Sequence, residues 1–585
     1  MVSLRSSITL HRNRENLKLL GLTFRYVSSL CMQFLTLGIL RKSKRQAERS
    51  VDMINFFRHR TMNKKKQPVI NHRGHIEPSG LLHVSLQENV QSLTNWLGKN
   101  TDFVVNDLVW KEWKATLLFY KSLVDVQLLI DQVVSPLKDR WDAKQQQVEA
   151  CEQAHTAIPD PMEEIKRLIV VSDTRSVKDW HCAVEELFDG KVLLLVDGVE
   201  AGLAIGLAKV EKRDISPPET EQSVIGPKES FVEILGSNIT LIRQRLRDPH
   251  LYIESFQIGK RGKQEVALFY LDDVANPALV EEVKRRIKSS ETNALQGQQH
   301  LQELLEDNTY SLFPQIRPSE RPDVVCSYLL EGSVVIMVEG AAHALIMPIT
   351  FFQLITTIDD YYSSWQYATL IRFVRMVGLI FSVATPGFYL SLVAYNPELI
   401  PTRLVISMDT ARMKVALPIV LEVFIMEIMI EILREAGIKL PKPVGQAVSI
   451  IGGLVIGESA VNANLVSPVT VVIVALTAIS SFTAPVYLLG ITYRILRFFL
   501  LLCSSIFGLY GFLLGLFIIH SHASRLVSFG VPYLAPLSPL RIRDWKDTLL
   551  RLSFKRFTHR PTFLASQTPN KTQPLPMTSK QQRKE

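Results

Sequence analysis

The stretch CSYLLEGSVVIMVEGAAHALIMP, residues 326–348, can be read either as a membrane-crossing helix or as a buried pair of strands, and the choice decides the fold. Hydropathy alone favours the helix. A second stretch, GKVLLLVDGVEAGLAIGLAKV at 190–210, settles it, because placing Gly190 on Gly332 also places Asp197-Gly198 on Glu339-Gly340 and Leu187-Phe188-Asp189 on Leu329-Leu330-Glu331. Each copy reads as helix, glycine, apolar strand, acidic-Gly turn, strand, with glycine supplying the backbone freedom of a tight turn. The repeat predicts two tandem α/β subdomains and makes 333–349 a strand pair, with Glu331 just before it and Glu339 at its turn.

Between the copies, IGPKESFVEILGSNITLIRQRLRDPH (225–250) predicts a helix opened by Gly226-Pro227 and stopped by Asp248-Pro249. Phe231, Leu235, Ile242 and Leu246 form its apolar stripe, and Arg243, Arg245 and Arg247 form a basic face. That face is either solvated or a contact for an acidic partner or phosphate groups. LYIESFQIGKRGKQEVALFYLDD (251–273) predicts a hairpin around Gly262.

Beyond residue 366 the chain changes solvent. Arg375 and Glu398 enclose 22 uncharged residues, about what a helix needs to cross the hydrocarbon, so 372–395 is expected to span. Residues 415–433 (VALPIVLEVFIMEIMIEIL) read as a span containing Glu422, Glu427 and Glu431, the last two sharing a helix face. From Pro443 to Phe482 only Glu458 is charged; as one helix this would be roughly 60 Å long, twice a bilayer core, so GESAVNANLVSP (457–468) is the expected break. Residues 498–519 (FFLLLCSSIFGLYGFLLGLFII) read as the last span. Basic flanks at Arg372, Arg375, Arg434, Lys439 and Lys442 and after residue 540 place all three sites in the cytoplasm, which requires an even number of crossings. Four spans plus a re-entrant segment within 443–490 are expected.

The formal net charge of +9 over 585 residues is unevenly placed. Residues 1–70 carry 15 Lys/Arg against 3 Asp/Glu and 541–585 carry 11 against 3, which leaves 71–540 at −11. Basic tails flanking an acidic middle suit a membrane surface rather than nucleic acid. The first residues have three open readings: Tyr26–Leu40 as an interfacial helix or a signal-anchor, or a true start at Met53 or Met62. Five cysteines without C-x-x-C spacing suggest neither zinc nor a disulfide framework. No phosphate-loop, dinucleotide, zincin or nucleophile-elbow motif is present in the sequence, GPKES (226–230) lacks the phosphate-loop spacing, and His343, His520 and His522 lack ligand spacing. No catalytic, metal or cofactor site is therefore assigned. Carboxylates in hydrocarbon are costly unless they face a partner, water or a pore, so the candidate ion-path or gating residues are Glu427, Glu431, Glu458, Asn462 and Asn464.

GPKESFVEILGSNITLIRQRLR with its following hairpin, the run LREAGIKLPKPVGQAVSIIGGLVIGESAVNANLVSPVTVVIVALTAISSF, and SFGVPYLAP (528–536) resemble the A subunits of the GerA-type spore germinant receptors over roughly 86–540. Ile225 and Ser230 stand where the family usually has Arg and Gly, and Glu458 where relatives are commonly small or amide-bearing. The resemblance implies a non-enzymatic, multi-pass subunit of a nutrient receptor in the spore inner membrane, with both termini cytoplasmic. It also implies a polytopic B subunit and a lipoprotein C subunit as partners. The A subunit is expected to form a homo-oligomer that conducts or gates ions, and Arg243, Arg245 and Arg247 are candidate subunit contacts. A nutrient transporter and a scaffold for the permease-like partner are the alternatives. The expected organisation is a basic leader (1–85), α/β cytosolic subdomains (86–290 and 291–365), an all-α multi-span membrane domain (366–525) and a basic cytoplasmic tail (526–585).

Overall fold

The computed structural model describes residues 80–571 apart from 98–99, 110–113, 139–164, 167–168, 170, 172, 210–217 and 549. The basic leader and its three readings lie outside the described residues.

Two five-stranded sheets share one topology. After helix α1 (Leu86–Leu97), the first sheet is built from β1 (Phe103–Val109), β2 (Lys114–Tyr120), β3 (Thr174–Val177), β4 (Lys191–Val196) and β5 (Gly202–Gly206), in the order β1-β2-β4-β5-β3. Helix α2 (Trp180–Phe188) leads into β4. The second sheet follows helix α3 (Leu235–Arg245) and comprises β6 (Leu251–Ile258), β7 (Gln264–Leu271), β8 (Arg317–Ser319), β9 (Val334–Val338) and β10 (Ala344–Met347), in the order β6-β7-β9-β10-β8. Its helices are α4 (Pro277–Ser289), α5 (Gln298–Leu305) and α6 (Pro322–Glu331).

Gly190 and Gly332 hold the same post, ending α2 and α6 at φ +80° and +102°, and Gly198 and Gly340 turn the two hairpins, both at φ +83°. A residue with a Cβ is strained in that left-handed region, which is why the repeat is written in glycines. The whole of β9 and β10 is buried, so 333–349 is a strand pair.

Two features differ from expectation. The division at 290/291 falls inside the second sheet, because β6 and β7 pair with each other and β7 pairs with β9. The basic helix starts at Leu235 rather than at Gly226-Pro227, since residues 218–234 run irregularly and place Ser223, Gly226 and Phe231 beside Asp359, Ser223 and Glu320.

The helical region contains α7 (Trp365–Tyr395), α8 (Thr402–Arg412), α9 (Ile419–Lys439), α10 (Lys442–Asn462), α11 (Pro468–Ser481) and α12 (Tyr487–Arg525). Two of these, α7 and α12, are long and apolar enough to cross a membrane by length and composition. α12 is not one rod. Gly508 sits at φ +58° and ψ −139°, and the chain folds back there: Gly515 packs on Leu500 and Cys503, while Thr492 and His522 both bond the loop at Ser311-Leu312. The run 498–519, expected as a single span, is therefore an apex with two antiparallel arms.

Neighbouring contacts give the directions of the remaining helices. Gly378 meets Thr483 and Tyr389 meets Thr470, so α11 descends along α7. Gly452 meets Leu433 and Asn464 meets Ala416, so α10 runs against α9. The break between α10 and α11 spans 463–467, inside the stretch where the polar residues interrupt the apolar run. Among the described residues α7, α9, α10, α11 and the two arms of α12 form six helical segments of alternating direction, where four spans plus a re-entrant segment were expected.

The core does not stop at the boundary between these parts. One apolar cluster runs from Leu235 and Ile242 of α3 through Val335 of β9 to Leu489, Leu496 and Leu500 of α12. The segment after 540 folds back on the second sheet's helices, with the Arg560 Nε–H donating to the Leu330 carbonyl at 2.7 Å and Lys571 pairing with Glu331 at 3.1 Å.

Candidate functional site

Glu427 and Glu431 of α9 converge on α12. Glu427 and Arg497 are 0% and 1% exposed, and Arg497 Nε lies 3.2 Å from a Glu427 oxygen. The same guanidinium donates to Glu431 at 2.6 Å, and Arg494 approaches the other Glu431 oxygen at 3.3 Å. Arg434 stands 3.5 Å from Glu431 and donates to the Ser481 hydroxyl at 2.8 Å, which ties in α11. The four-residue spacing of Glu427 and Glu431 is what lets one arginine reach both. Burying a pair this deep is tolerated only when each charge meets its opposite.

A third carboxylate works nearer the start of α9. Glu422, fully buried, accepts the Ser467 backbone N–H at 2.5 Å and has Arg412 at 3.9 Å, so it fastens the 463–467 break. The Ser467 hydroxyl in turn caps α11 by accepting from Thr470 N–H.

Glu458, Asn462 and Asn464 are not part of this cluster. Glu458 and Asn462, four residues apart, are exposed on α10, beside exposed Val455 and Leu465. Asn464 is exposed at φ +53° and its carbonyl accepts the Ala416 N–H. The candidates thus divide into an internal ion-pair cluster and a polar strip on the molecule's own surface.

Arg243, Arg245 and Arg247 are not a shared basic face. Arg243 is 0% exposed; its Nε–H donates to Asp102 at 3.1 Å, its guanidinium lies 4.5 Å from the Tyr120 ring centre, and another N–H meets the Leu251 carbonyl. It joins the two sheets and offers nothing to a partner subunit. Arg245 pairs with Glu229 and Arg247 with Asp189.

The flanking arginines read as membrane-edge charges are also internal. Arg372, 2% exposed, meets Asp360 at 2.9 Å and Asp547 at 3.1 Å, and Arg375 meets Asp360 at 3.1 Å. Burial pushes the Asp360 carboxyl up, but the bonds and charges of Arg375 and Arg372 outweigh it and hold it below the ordinary carboxylate range. These contacts bolt the start of α7 to the folded-back C-terminal segment. Arg434, expected as a flank, is likewise drawn into the Glu431 cluster with Arg494 and Arg497; the one sign of it in the sequence is the Glu427/Glu431 spacing, which asks for a cation on a facing helix. Among the described residues no group of three or more His, Cys, Asp or Glu is placed to hold a metal.

The family model described as Bacillus/Clostridium GerA spore germination protein matches residues 91–563. Spore germination protein GerLA of Bacillus cereus is 39% identical over 400 residues, 68% of this chain and 81% of that protein. Spore germination protein B1 of Bacillus subtilis (strain 168) is 36% identical over 484 residues, 82% of this chain and 96% of that protein. The crystal structure of the N-terminal domain of the A subunit of the Bacillus megaterium spore germinant receptor GerK3 aligns at 27% identity with a TM-score of 0.36, covering 47% of this chain and 98% of that one. On the family match and these identities, the chain belongs to the GerA family of spore germination proteins, and its role lies in spore germination.

Proposed function

We propose that this chain is the A-type subunit of a germinant receptor in the spore inner membrane, working with a polytopic B subunit and a lipoprotein C subunit. Its six helical passes cross the bilayer, and the even number keeps the α/β units and the basic C-terminal segment together on the cytoplasmic side. Several copies assemble so that the strip of Glu458, Asn462 and Asn464 lines an ion path. The Glu427–Arg497–Glu431 cluster holds the surrounding helices in register behind that strip. Nutrient binding is transmitted through the apolar core that joins the second sheet to α12, and opening the path releases ions and starts germination.

The observation that carries this reading is the division of polar groups. Glu427 and Glu431 of α9 are ion-paired with Arg497 of α12 inside the protein, whereas Glu458 and Asn462 are exposed on α10, near exposed Val455. An ionised side chain one turn from the end of a membrane pass must face water or protein. Assembly around an aqueous path supplies both.

Cysteine accessibility tests it. In a variant with its own five cysteines replaced by serine and assembled with its partners, single cysteines at 458 and 462 should react quickly with a membrane-impermeant thiol reagent. Cysteines at Val472 and Phe517, 65% and 69% exposed on apolar faces, should react slowly. Equally slow labelling at all four positions contradicts the path.

A further inference from the structure

Two cavities meet where α7 and α12 approach the second α/β unit. The first, about 380 Å³, is walled by Met376, Leu379 and Ile380 of α7 and by Leu516 and Ile519 of the second arm of α12. The second, about 420 Å³, lies between α6 and the folded-back C-terminal segment. Phe352, Pro536 and Thr548 line both, so the two are neighbours along one wall.

Their chemistries differ in a way that one molecule can satisfy. The first cavity is apolar, and Ile380 at its wall is 58% exposed, which opens it sideways onto the outer face of α7. The second is lined by Arg543, Lys546 and Arg560, none of which pairs with a carboxylate among the described residues, and by Glu331, Asp547 and Asp544, whose carboxylates are taken up by Lys571, Arg372 and the Thr562 N–H. Trp545, in the wall of the apolar cavity, has a buried indole N–H without an acceptor among the described residues. An apolar slot, an indole donor in its wall and neighbouring cations without carboxylate partners match an acyl chain, an ester carbonyl and a phosphate.

We propose that the paired cavities bind an anionic glycerophospholipid of the cytoplasmic leaflet, with an acyl chain in the slot of α7 and α12 and the headgroup phosphate on Arg543, Lys546 and Arg560. Such a lipid bridges the membrane helices and the C-terminal segment that clasps the second sheet. It therefore sits across the joint through which the α/β units and the helices communicate. The proposal rests on the membrane reading given above.

The test uses the full chain purified in detergent and lipid retention measured by native mass spectrometry. Wild type should retain phosphatidylglycerol in preference to phosphatidylcholine. The R543Q/K546Q variant, altered at two exposed positions, should bind phosphatidylglycerol about thirtyfold more weakly and phosphatidylcholine unchanged. Ile380→Trp, which narrows the slot, should weaken both lipids. Equal retention of the two lipids by wild type, or binding of glycerol 3-phosphate as tight as that of phosphatidylglycerol, overturns the proposal. A chain that fractionates away from membranes in cells defeats the membrane reading itself, whereas a membrane-embedded chain without lipid preference defeats this inference alone.

Discussion

Removing one partner of the Glu427–Arg497 pair leaves the other charge buried, and that loss exceeds what the pair contributes intact. Arg497→Met should lower the stability of the detergent-purified chain by about 3–5 kcal/mol. The double substitution E427M/R497M should recover much of it, because two apolar side chains of similar size carry no desolvation cost. Thermal unfolding of the three proteins checks this, and a double variant no better than the single one would refute the account of the pair. Glu320 makes a separate prediction in the α/β region. Burial pushes its carboxyl up, but His343, the Thr220 hydroxyl and the backbone N–H groups of Glu219 and Thr220 together pull it down to about 2. A carboxylate lowered on folding stabilises the fold fully above its unfolded value, about 4.3, and loses that contribution as pH falls toward 2. Glu320→Gln should therefore flatten the fall in melting temperature across that interval, and an unchanged slope would contradict the assignment.

At the scale of elements, the decisive position is Gly508. Its backbone conformation belongs to glycine, and a Cβ there would lie 2.7 Å from the Tyr395 Cβ. Gly508→Ala should cost about 1–3 kcal/mol from backbone strain alone and more from the clash, read as a lowered melting temperature and reduced protein in membranes. An alanine variant as stable as wild type would mean that α12 does not fold back. The paired hairpins were legible in the sequence because their turns demand glycine at 190, 198, 332 and 340, which makes the repeat visible through changed side chains. The break at 463–467 was legible because amides and proline interrupt the apolar run. The apex at Gly508 was not, since hydropathy stays high through 498–519 and a single glycine among apolar residues does not announce a reversal. The partners of Glu427 were hidden for another reason: Arg497 lies seventy residues away and looks like a span's basic flank. Arg243 was misplaced because helical periodicity says which residues share a face, not which neighbouring sheet covers it.

Among the described residues the α/β and helical parts share a core. The second sheet's helices α3 and α6 pack on the same apolar cluster as α12, and the C-terminal segment returns from α12 to fasten α6. The Arg243–Asp102 contact ties the first sheet to α3. A shift in either sheet thus has a packed route to α12, and through Arg497 to α9. The net charge of +9 has little to do with this route, since the arginines on it are paired within the chain. The central claim is that the exposed strip on α10 lines the ion path of the assembled receptor. Cation release from spores carrying Glu458→Gln, at matched receptor levels and saturating nutrient, tests it most directly. The account predicts markedly slower release, with nutrient-independent germination routes unaffected; release at the wild-type rate would contradict it.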